Sequence, residues 1–448
     1  MGKIDEITLL FDSFSGESAN LYDSFKNSGI PVNAVSIGDD GFLPDGVMSV
    51  YGFFLKEKEN NPIGKPRFFN QIDVPDYWQI EGNNSGAKVV NHGREEARIF
   101  YQKPAHKRIV KVVDWLDEKG NVRLCEHYDK FGNIYCRTIF NKAGQQIMRR
   151  FYTSSGKERI VESFVTGDIL LEYEGEDRIF KNRTEFVRFF LKCNGFDKGA
   201  LYYNSLSYPF FVSQSLAENG FRDILFWNEP VKDSIPGNML EILNNRSPRT
   251  KTIYVQRREA FEKLISLGAS GDMVKSLGYV YKFERNNKHR PEILVCTNSD
   301  QVLHINEFAA LVPNANFHIA AVTEMSSKLL AAGKNKNVFL YPNVKQERLD
   351  ALFKDCDIYL DINREAEIAD AVHRAFLNNQ LIVGFEETMH NPYYTAPTNT
   401  FPEQEYKEMA EALNLAIVTP ELVDEALNMQ REYALSADKE DYLKIFNK

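Results

Sequence analysis

The chain opens on Ile7-Thr8-Leu9-Leu10-Phe11, an apolar run short enough to be a buried strand. A polar turn, Asp12-Ser13-Phe14-Ser15-Gly16, follows it. Leu21 and Phe25 then recur at helical spacing, and residues 32–37 read as a second strand. Strand, small-residue loop, helix and strand are how a doubly wound α/β domain begins.

From about residue 42 to 180 this rhythm disappears. Gly120, Gly132, Gly144 and Gly156 recur every twelve residues, closing the turns Asp117-Glu118-Lys119-Gly120, Asp129-Lys130-Phe131-Gly132, Asn141-Lys142-Ala143-Gly144 and Thr153-Ser154-Ser155-Gly156. Tyr128, Phe140 and Tyr152 stand four positions before the last three glycines, and Trp115 five before the first. Between turns the residues alternate, as in Ile134-Tyr135-Cys136-Arg137-Thr138-Ile139-Phe140. Asp or Asn with Gly supplies the positive-φ positions of tight hairpins, so the pattern predicts an antiparallel meander of strands ~8 residues long. Such a sheet commonly buries one face. Its other face and its edges then need a partner, a cover or charge.

Alternating β and α patterns return from about residue 181. Strand candidates are 201–203, 224–227, 252–255, 279–283, 292–296, 316–320, 338–341, 358–362, 381–385 and 415–418. Helical patterns separate most of them, among them Ile368-Ala369-Val372-Phe376 and Met409-Leu413. The alternation breaks near residue 285, at Asn286-Asn287-Lys288. The prediction is an α/β chain with a discontinuous first Rossmann-like domain (1–40 and 181–285), an inserted β-meander domain (41–180) and a second Rossmann-like domain (286–448).

Composition adds limits. Hydrophobic residues are 43% and charged residues 26% of 448, as in soluble globular proteins. No run approaches the ~18 apolar residues of a membrane span. The N-terminal strand is interrupted by Asp5 and Glu6, too acidic for a signal peptide, and Glu6 stands where N-myristoylation of Gly2 needs Ser or Thr. A cytoplasmic chain is expected. The net charge of -9 argues against a nucleic-acid partner. Residues 105–163 go the other way, with 12 Lys/Arg against 7 Asp/Glu, which suits either a solvated face with protective edge lysines or a docking surface for an acidic partner. Cys125, Cys136, Cys193, Cys296 and Cys356 form no CxxC pair, so free thiols are expected and a metal site is not.

Two Rossmann-like blocks are the frame of the GT-B glycosyltransferases, and a frame alone implies no activity. A nucleotide-sugar transferase must neutralise a departing diphosphate with cations, helix N-termini or a metal. Retaining enzymes of this frame carry two Glu eight positions apart at a Gly-rich loop, and an Arg/Lys pair after the first strands of the second domain. The corresponding segment here, Leu360-Asp361-Ile362-Asn363-Arg364-Glu365-Ala366-Glu367-Ile368, has no glycine. Eight positions after Glu365 stands His373, and after Glu367 stands Ala375; Glu386 and Glu387 are followed by Tyr394 and Thr395. The loop Thr297-Asn298-Ser299-Asp300 is neutral to acidic, and Arg285, Lys288 and Arg290 precede their strand rather than follow it. The charge-handling parts are missing.

Other candidates are fewer. His390 with Glu386 or Glu387 could form an acid/base pair or a metal site, although one His without a second fits a hydrogen-bonded loop histidine better. His127 and His373 read as structural or solvated, and the basic runs 246–251 and Arg257-Arg258 as solvated. The loop Ser13-Phe14-Ser15-Gly16-Glu17-Ser18 suits an extended peptide or a plain turn with Ser15 or Ser18 as the helix cap. No GxGxxG, Walker A, GxSxG or HExxH pattern occurs.

The stretch Phe283-Glu284-Arg285 … Arg290-Pro291-Glu292-Ile293-Leu294-Val295-Cys296-Thr297-Asn298-Ser299-Asp300-Gln301 resembles the inter-domain segment of bacterial glycosyltransferases that modify serine-rich repeat adhesins. Asp361-Ile362-Asn363, Glu367-Ile368, Ala371-Val372, Ala375-Phe376 and Phe385-Glu386-Glu387-Thr388-Met389-His390 resemble their non-catalytic companions, the glycosyltransferase-stabilising proteins, or glycosylation chaperones, of the accessory Sec system. The meander resembles the add-on β-domain of that family, which wall teichoic acid glycosyltransferases share. The resemblance covers the whole chain, and the absent acidic pair separates the companions from the enzymes.

The resemblance implies a non-catalytic subunit with a GT-B-like fold and no cofactor. Such companions bind the catalytic subunit through the add-on domain. Together they transfer N-acetylglucosamine from its UDP-sugar to Ser/Thr of the adhesin before export, at the cytoplasmic face of the membrane, where association would be peripheral. Strand-end position nominates Ser13, Ser15, Gly16, Asn298, Ser299, Arg364, Glu365 and His390 for the acceptor peptide. Trp115, Tyr128, Arg137, Phe140, Arg149 and Tyr152 are nominated for the partner enzyme. Two other readings stay open: an active GT-B transferase using a UDP-sugar with Glu365, Glu367 or His390, and a polyol-phosphate or glycan-binding protein that works without a transferase.

Overall fold

The computed structural model describes residues 7–57, 64–218 and 220–445, so the readings of Gly2, Asp5 and Glu6 lie outside the described residues. The chain divides into two compact units. One runs to Leu277 and takes in the residues from Lys439; the other spans Gly278–Asp438.

In the first unit β1 (Ile7–Phe11), β2 (Val32–Ser36) and β3 (Val47–Ser49) open a parallel sheet. Ten antiparallel strands follow: β4 (Gln79–Gly82), β5 (Ala87–Asn91), β6 (Arg94–Tyr101), β7 (Val110–Leu116), β8 (Val122–Tyr128), β9 (Ile134–Phe140), β10 (Gln146–Tyr152), β11 (Glu158–Ser163), β12 (Ile169–Tyr173) and β13 (Glu176–Phe180). Each pairs with the next in chain order, a plain meander. The chain then rejoins the parallel sheet with β14 (Ala200–Tyr203), β15 (Asp223–Trp227), β16 (Thr250–Val255) and β17 (Val274–Ser276). The order is β17-β16-β15-β14-β1-β2-β3, with Ile7 opposite Ala200. The meander is thus inserted between strands of one sheet. β1 lies between two neighbours and under helices on both faces, so all five of its residues are buried.

Three of this unit's helices set the surfaces described below. α1 (Gly16–Asn27) starts at Ser15, whose Oγ accepts the Ser18 N–H at 3.3 Å. α2 (Val50–Leu55) is capped by Ser49, and α3 (Arg183–Asn194) by Asn182. α2 and α3 bring Tyr51, Phe54, Phe186 and Phe190 against Phe151, Ile160, Ile169 and Leu171 of the meander in one continuous core. Tyr51 stacks on Phe151 with ring centroids 4.4 Å apart. The meander face bearing Phe151 and Ile160 is therefore consumed within the unit.

The second unit is a six-stranded parallel sheet: β18 (Glu292–Thr297), β19 (Asn316–Ala321), β20 (Val338–Tyr341), β21 (Ile358–Asp361), β22 (Leu381–Phe385) and β23 (Thr400–Phe401), in the order β20-β19-β18-β21-β22-β23. Helices α4 (Ala371–Leu377), α5 (Tyr406–Val418) and α6 (Pro420–Tyr433) pack on it. The two parallel sheets and the inserted antiparallel sheet are the α/β, GT-B-like class that the residue pattern predicts. Two strand assignments are corrected. Residues 415–418 end helix α5, because Met409, Leu413 and Ile417 continue one helical stripe. Residues 279–283 join no sheet: Tyr279 makes one isolated bridge to Ser436, and Tyr281 and Phe283 pack on Phe376. Among the described residues no helix is long and apolar enough to cross a membrane.

Candidate functional site

In an open parallel sheet the ligand crevice lies at the carboxyl ends of the two strands where the order reverses. In the first unit those strands are β1 and β14. The loop after β1 presents Ser13, Ser15 and Gly16, all exposed, at the N-terminus of α1. Ser18 Oγ donates to the Ser13 carbonyl at 3.0 Å and accepts from Asn204 Nδ2, beyond β14, at 3.0 Å. The Ser15 hydroxyl donates to Glu17 Oε2 at 3.0 Å, and Arg257 pairs with Glu17 at 3.3 Å. Ser15 is therefore the helix cap, as one reading of this loop has it. Burial raises the pKa of Asp12 at the end of β1, against the pull of Arg183.

In the second unit the order reverses between β18 and β21. The loop after β18 carries Asn298 and Ser299; the loop after β21 carries Arg364 and Glu365; the loop after β22 carries His390. The structure brings these five together at one end of the sheet. It also closes the crevice between them. Arg364 N donates to Gln301 O at 3.0 Å, Leu303 N donates to Ile362 O at 3.0 Å, and Thr297 Oγ1 lies 2.9 Å from Asn363 Oδ1. The loop after β18 is thus laced to residues 362–364, where a nucleotide would need open backbone amides.

His390 is bonded to Asp361, not to Glu386 or Glu387, which are exposed. Its Nδ1 is 2.5 Å from Asp361 Oδ1, its backbone N–H donates to Asp361 Oδ2 at 2.8 Å, and its Nε2 is 2.6 Å from the Glu365 carbonyl oxygen. Burial opposes a charged ring, but the Asp361 carboxylate and the Glu365 carbonyl prevail and raise its pKa to about 9. Glu367 accepts the Val372 N–H of α4 at 2.8 Å, and burial raises its pKa. Arg364 is ion-paired with Glu403. Arg285 and Arg290 hold Asp357 between them at 2.5 and 2.8 Å, at the amino end of β21, the end opposite the crevice. Burial resists ionisation of Asp357, yet Arg290 and Arg285 keep its pKa below the usual range. Asn298 Oδ1 is buried without a hydrogen-bond partner among the described residues, an unmet acceptor at this end of the sheet. Among the described residues no group of His, Cys, Asp and Glu could hold a metal ion.

The outward face of the meander is the third candidate. Glu126, only 7% exposed, gathers Trp115 Nε1 at 2.9 Å and Arg137 at 2.8 and 3.0 Å, and the Arg137 guanidinium lies 5.4 Å from the centre of the Tyr152 ring. Arg137 is opposite Arg150, and beyond it come Val161, Leu170 and Ile179 in register across β11–β13. Leu170 is 45% and Ile179 71% exposed. Phe140 is half-buried at the end of β9. Two nominated residues do not join this row. Tyr128 is 1% exposed, in a core with Ile72, Val89 and Val113, because the segment before β4 covers it. Arg149 is opposite Thr138 and Glu162, on the face turned toward α2 and α3, and its guanidinium sits 5.5 Å from the Phe164 ring. The residues that sequence reasoning missed are Asp361, Glu126 and Asn204. Of these only Asp361 had a sequence signal, as the last residue of a strand.

Four family models match in sequence along the chain: the GtfB N-terminal domain at residues 8–54, the GtfB middle domain at 78–181, the GtfB third domain at 183–267 and the GftB/GlyA-F C-terminal domain at 293–430. The chain is 41% identical to the UDP-N-acetylglucosamine–peptide N-acetylglucosaminyltransferase stabilizing protein GtfB of Streptococcus gordonii over 95% of both chains, and 39% identical to its namesake in Streptococcus agalactiae over 98% of both. One chain of a crystal structure of a GtfA/B complex bound to UDP and GlcNAc superposes with a TM-score of 0.90 at 40% identity, over 98% of this chain and 99% of that one. The pneumococcal O-GlcNAc transferase GtfA shares the fold alone, with a TM-score of 0.51 at 12% identity over 99% of both chains. With relatives this similar over its whole length, the chain belongs to the GtfB family, the stabilising proteins of UDP-N-acetylglucosamine–peptide N-acetylglucosaminyltransferases.

Proposed function

We propose that this chain is the non-catalytic subunit of an O-GlcNAc transferase complex. It docks on the catalytic subunit through the outward face of the meander, stabilises and activates it, and holds the Ser/Thr-rich acceptor adhesin at its switch-point loops before export by the accessory Sec system. It works in the cytoplasm, and any contact with the inner face of the membrane is peripheral.

The observation that carries this reading is the state of the β18–β21 crevice. Its backbone is laced shut, Asp361 is committed to His390, and Arg285 and Arg290 are committed to Asp357 at the far end of the sheet. The groups at the crevice that could meet a nucleotide diphosphate, Arg364 with its backbone N–H and the His390 ring, are held by the chain's own acceptors, and among the described residues no cation is delivered there from the far end. The exposed Ser13 hydroxyl and the unmet Asn298 carboxamide oxygen remain, and these suit a polar extended peptide. The Trp115–Arg137–Tyr152 row, continued by Leu170 and Ile179, supports docking, since aromatic, Arg and apolar groups dominate interface energetics. The domain division at 1–40 with 181–285, 41–180 and 286–448 is proposed on the same grounds, each piece contributing one surface.

Calorimetric titration tests the acceptor half. An unmodified Ser/Thr-rich peptide should bind and UDP-N-acetylglucosamine should not; clear UDP-sugar binding would overturn it. For the docking half, the chain should raise the melting temperature of a purified family transferase, and the Trp115→Ala/Arg137→Ala variant should raise it far less.

A further inference from the structure

The second unit carries an apolar groove that the stabilising role does not use. It encloses about 190 Å³ between β22, β23 and helices α5 and α6, and is lined by Leu381, Val383, Asn399, Phe401, Leu415 and Leu422. Around it the apolar surface continues outward. Leu415 is 55%, Val418 68%, Leu422 43% and Leu311 41% exposed. Asn414 Nδ2 donates to the Leu311 carbonyl at 2.9 Å, which fixes Leu311 beside α5. Large side chains left together in water at helix ends mark an interaction surface.

Three observations define the occupant. First, the stretch of β22 beside the groove that β23 does not reach is already satisfied: Ile382 N–H donates to Gln430 Oε1 at 2.9 Å, and Gln430 Nε2 donates to the Gln380 carbonyl at 3.0 Å. The groove therefore does not invite an added strand; it takes side chains. Second, Asn399 Nδ2 is buried in the groove wall with no acceptor among the described residues, and Asn399 is only 9% exposed. A buried donor left unpaired is costly, so an occupant whose chain ends a helix there, with the free carbonyls of its last turn turned to the wall, is favoured. Third, the surroundings are acidic. Residues 403–432 hold eight Asp/Glu against two Lys/Arg, and Glu408, Glu411, Glu421 and Glu425 beside the groove are exposed. That charge repels anionic lipid and attracts cations.

We propose that this groove docks a basic amphipathic helix of a partner protein, its apolar side chains inserted between Leu415 and Leu422 and its Lys/Arg facing the glutamates of α5 and α6. The helix-in-groove mode uses apolar anchors at three- and four-residue spacing, which the paired α5 and α6 ridges match. The inference rests on the second unit alone and is independent of the stabilising reading.

The test uses the full chain and a fluorescent model peptide with leucines at i, i+3, i+4 and i+7 and lysines elsewhere, read by anisotropy, with a Glu/Leu peptide of the same pattern as control. The Lys/Leu peptide should saturate. Leu415→Ser/Leu422→Ser should weaken it at least about tenfold, and Glu411→Gln/Glu425→Gln several-fold. Both leucines are half exposed, so circular dichroism melts should be unchanged and loss of fold is excluded. The proposal is overturned if the variants bind like the parent, if the Glu/Leu peptide binds equally, if only anionic vesicles bind, or if the patch instead pairs two copies of the chain by sedimentation.

Discussion

His390 Nδ1 lies 2.5 Å from Asp361 Oδ1 while its Nε2 lies 2.6 Å from the carbonyl oxygen of Glu365. Both contacts are with acceptors. A neutral imidazole has one N–H and can satisfy only one of them; the imidazolium donates to both. The pKa of the ring is accordingly raised from 6.5 to about 9, burial being outweighed by Asp361. Because the folded value lies above the unfolded one, the stabilisation is fully present below pH 6.5 and is lost as pH rises through about 9. The parent chain should therefore lose about 1–2 kcal/mol of stability across that window, allowing for partial exposure. His390→Gln should start lower and lack that loss. Parallel pH profiles from urea denaturation of the two chains would remove the imidazolium assignment.

The four repeat glycines are equivalent in spacing but not in surroundings. Gly120, Gly132, Gly144 and Gly156 all have φ between 77° and 88°. A Cβ at Gly120, Gly144 or Gly156 would meet nothing within 4 Å, whereas at Gly132 it would lie 2.5 Å from the Lys65 carbonyl oxygen. Gly144→Ala should cost about 1 kcal/mol, the left-handed backbone alone. Gly132→Ala adds a backbone collision and should cost at least about 2–3 kcal/mol. Urea midpoints of the two variants compare them directly, and equal costs would mean that the segment around Lys65 is free to move away.

That contrast also marks where the sequence stops being readable. The β1–α1–β2 opening and the twelve-residue hairpins are local patterns, so apolar runs and turn glycines announce them. What covers each surface is not local. Tyr128 looks like its repeat mates Phe140 and Tyr152, yet it is buried because residues more than fifty positions earlier lie over it. His390 was within reach of Glu386 and Glu387 by sequence, but β22 lies beside β21, and that adjacency brings Asp361 to the ring from 29 positions away. Residues 415–418 contain Ile417 and Val418, good strand formers, and a helical stripe that began at Met409 overrides them. Strand ends alone put Ser13, Asn298, Arg364 and His390 on loops that follow β1, β18, β21 and β22. That the crevice between β18 and β21 is laced shut needed the structure.

Thiol chemistry separates the five cysteines. All five are free; Cys125, Cys136, Cys296 and Cys356 are buried and Cys193 is exposed on α3. Burial pushes the thiol pKa of Cys136 and of Cys296 up to about 12, which suppresses the reactive thiolate. A thiol reagent on the native chain should label Cys193 alone, slowly at neutral pH because burial also raises its pKa. All five should react in denaturant without a reductant. Fewer in denaturant would reveal a disulfide, and fast native labelling of a second thiol would reveal local opening.

Asp223 and Arg249 are 0% and 1% exposed and 2.8 Å apart, an ion pair with no water to share. Asp223 also accepts from the Leu201 N–H at 2.9 Å and the Ser213 hydroxyl at 2.7 Å, and Arg249 donates to the Gly199 carbonyl at 2.8 Å. The pair joins the amino ends of β14, β15 and β16, opposite the crevice, so its role is architectural. Burial still raises the pKa of Asp223 despite Arg249. Removing one partner leaves the other charge stranded, so Arg249→Met should cost about 3–5 kcal/mol. Asp223→Leu/Arg249→Met strands neither charge and should recover a large part of that loss, although the Leu201 N–H and Ser213 hydroxyl then lose their acceptor. A double-mutant cycle by urea denaturation measures the coupling. If the double variant were as unstable as the sum of the singles, the pair would be two independent hydrogen-bonding residues and not a coupled ion pair.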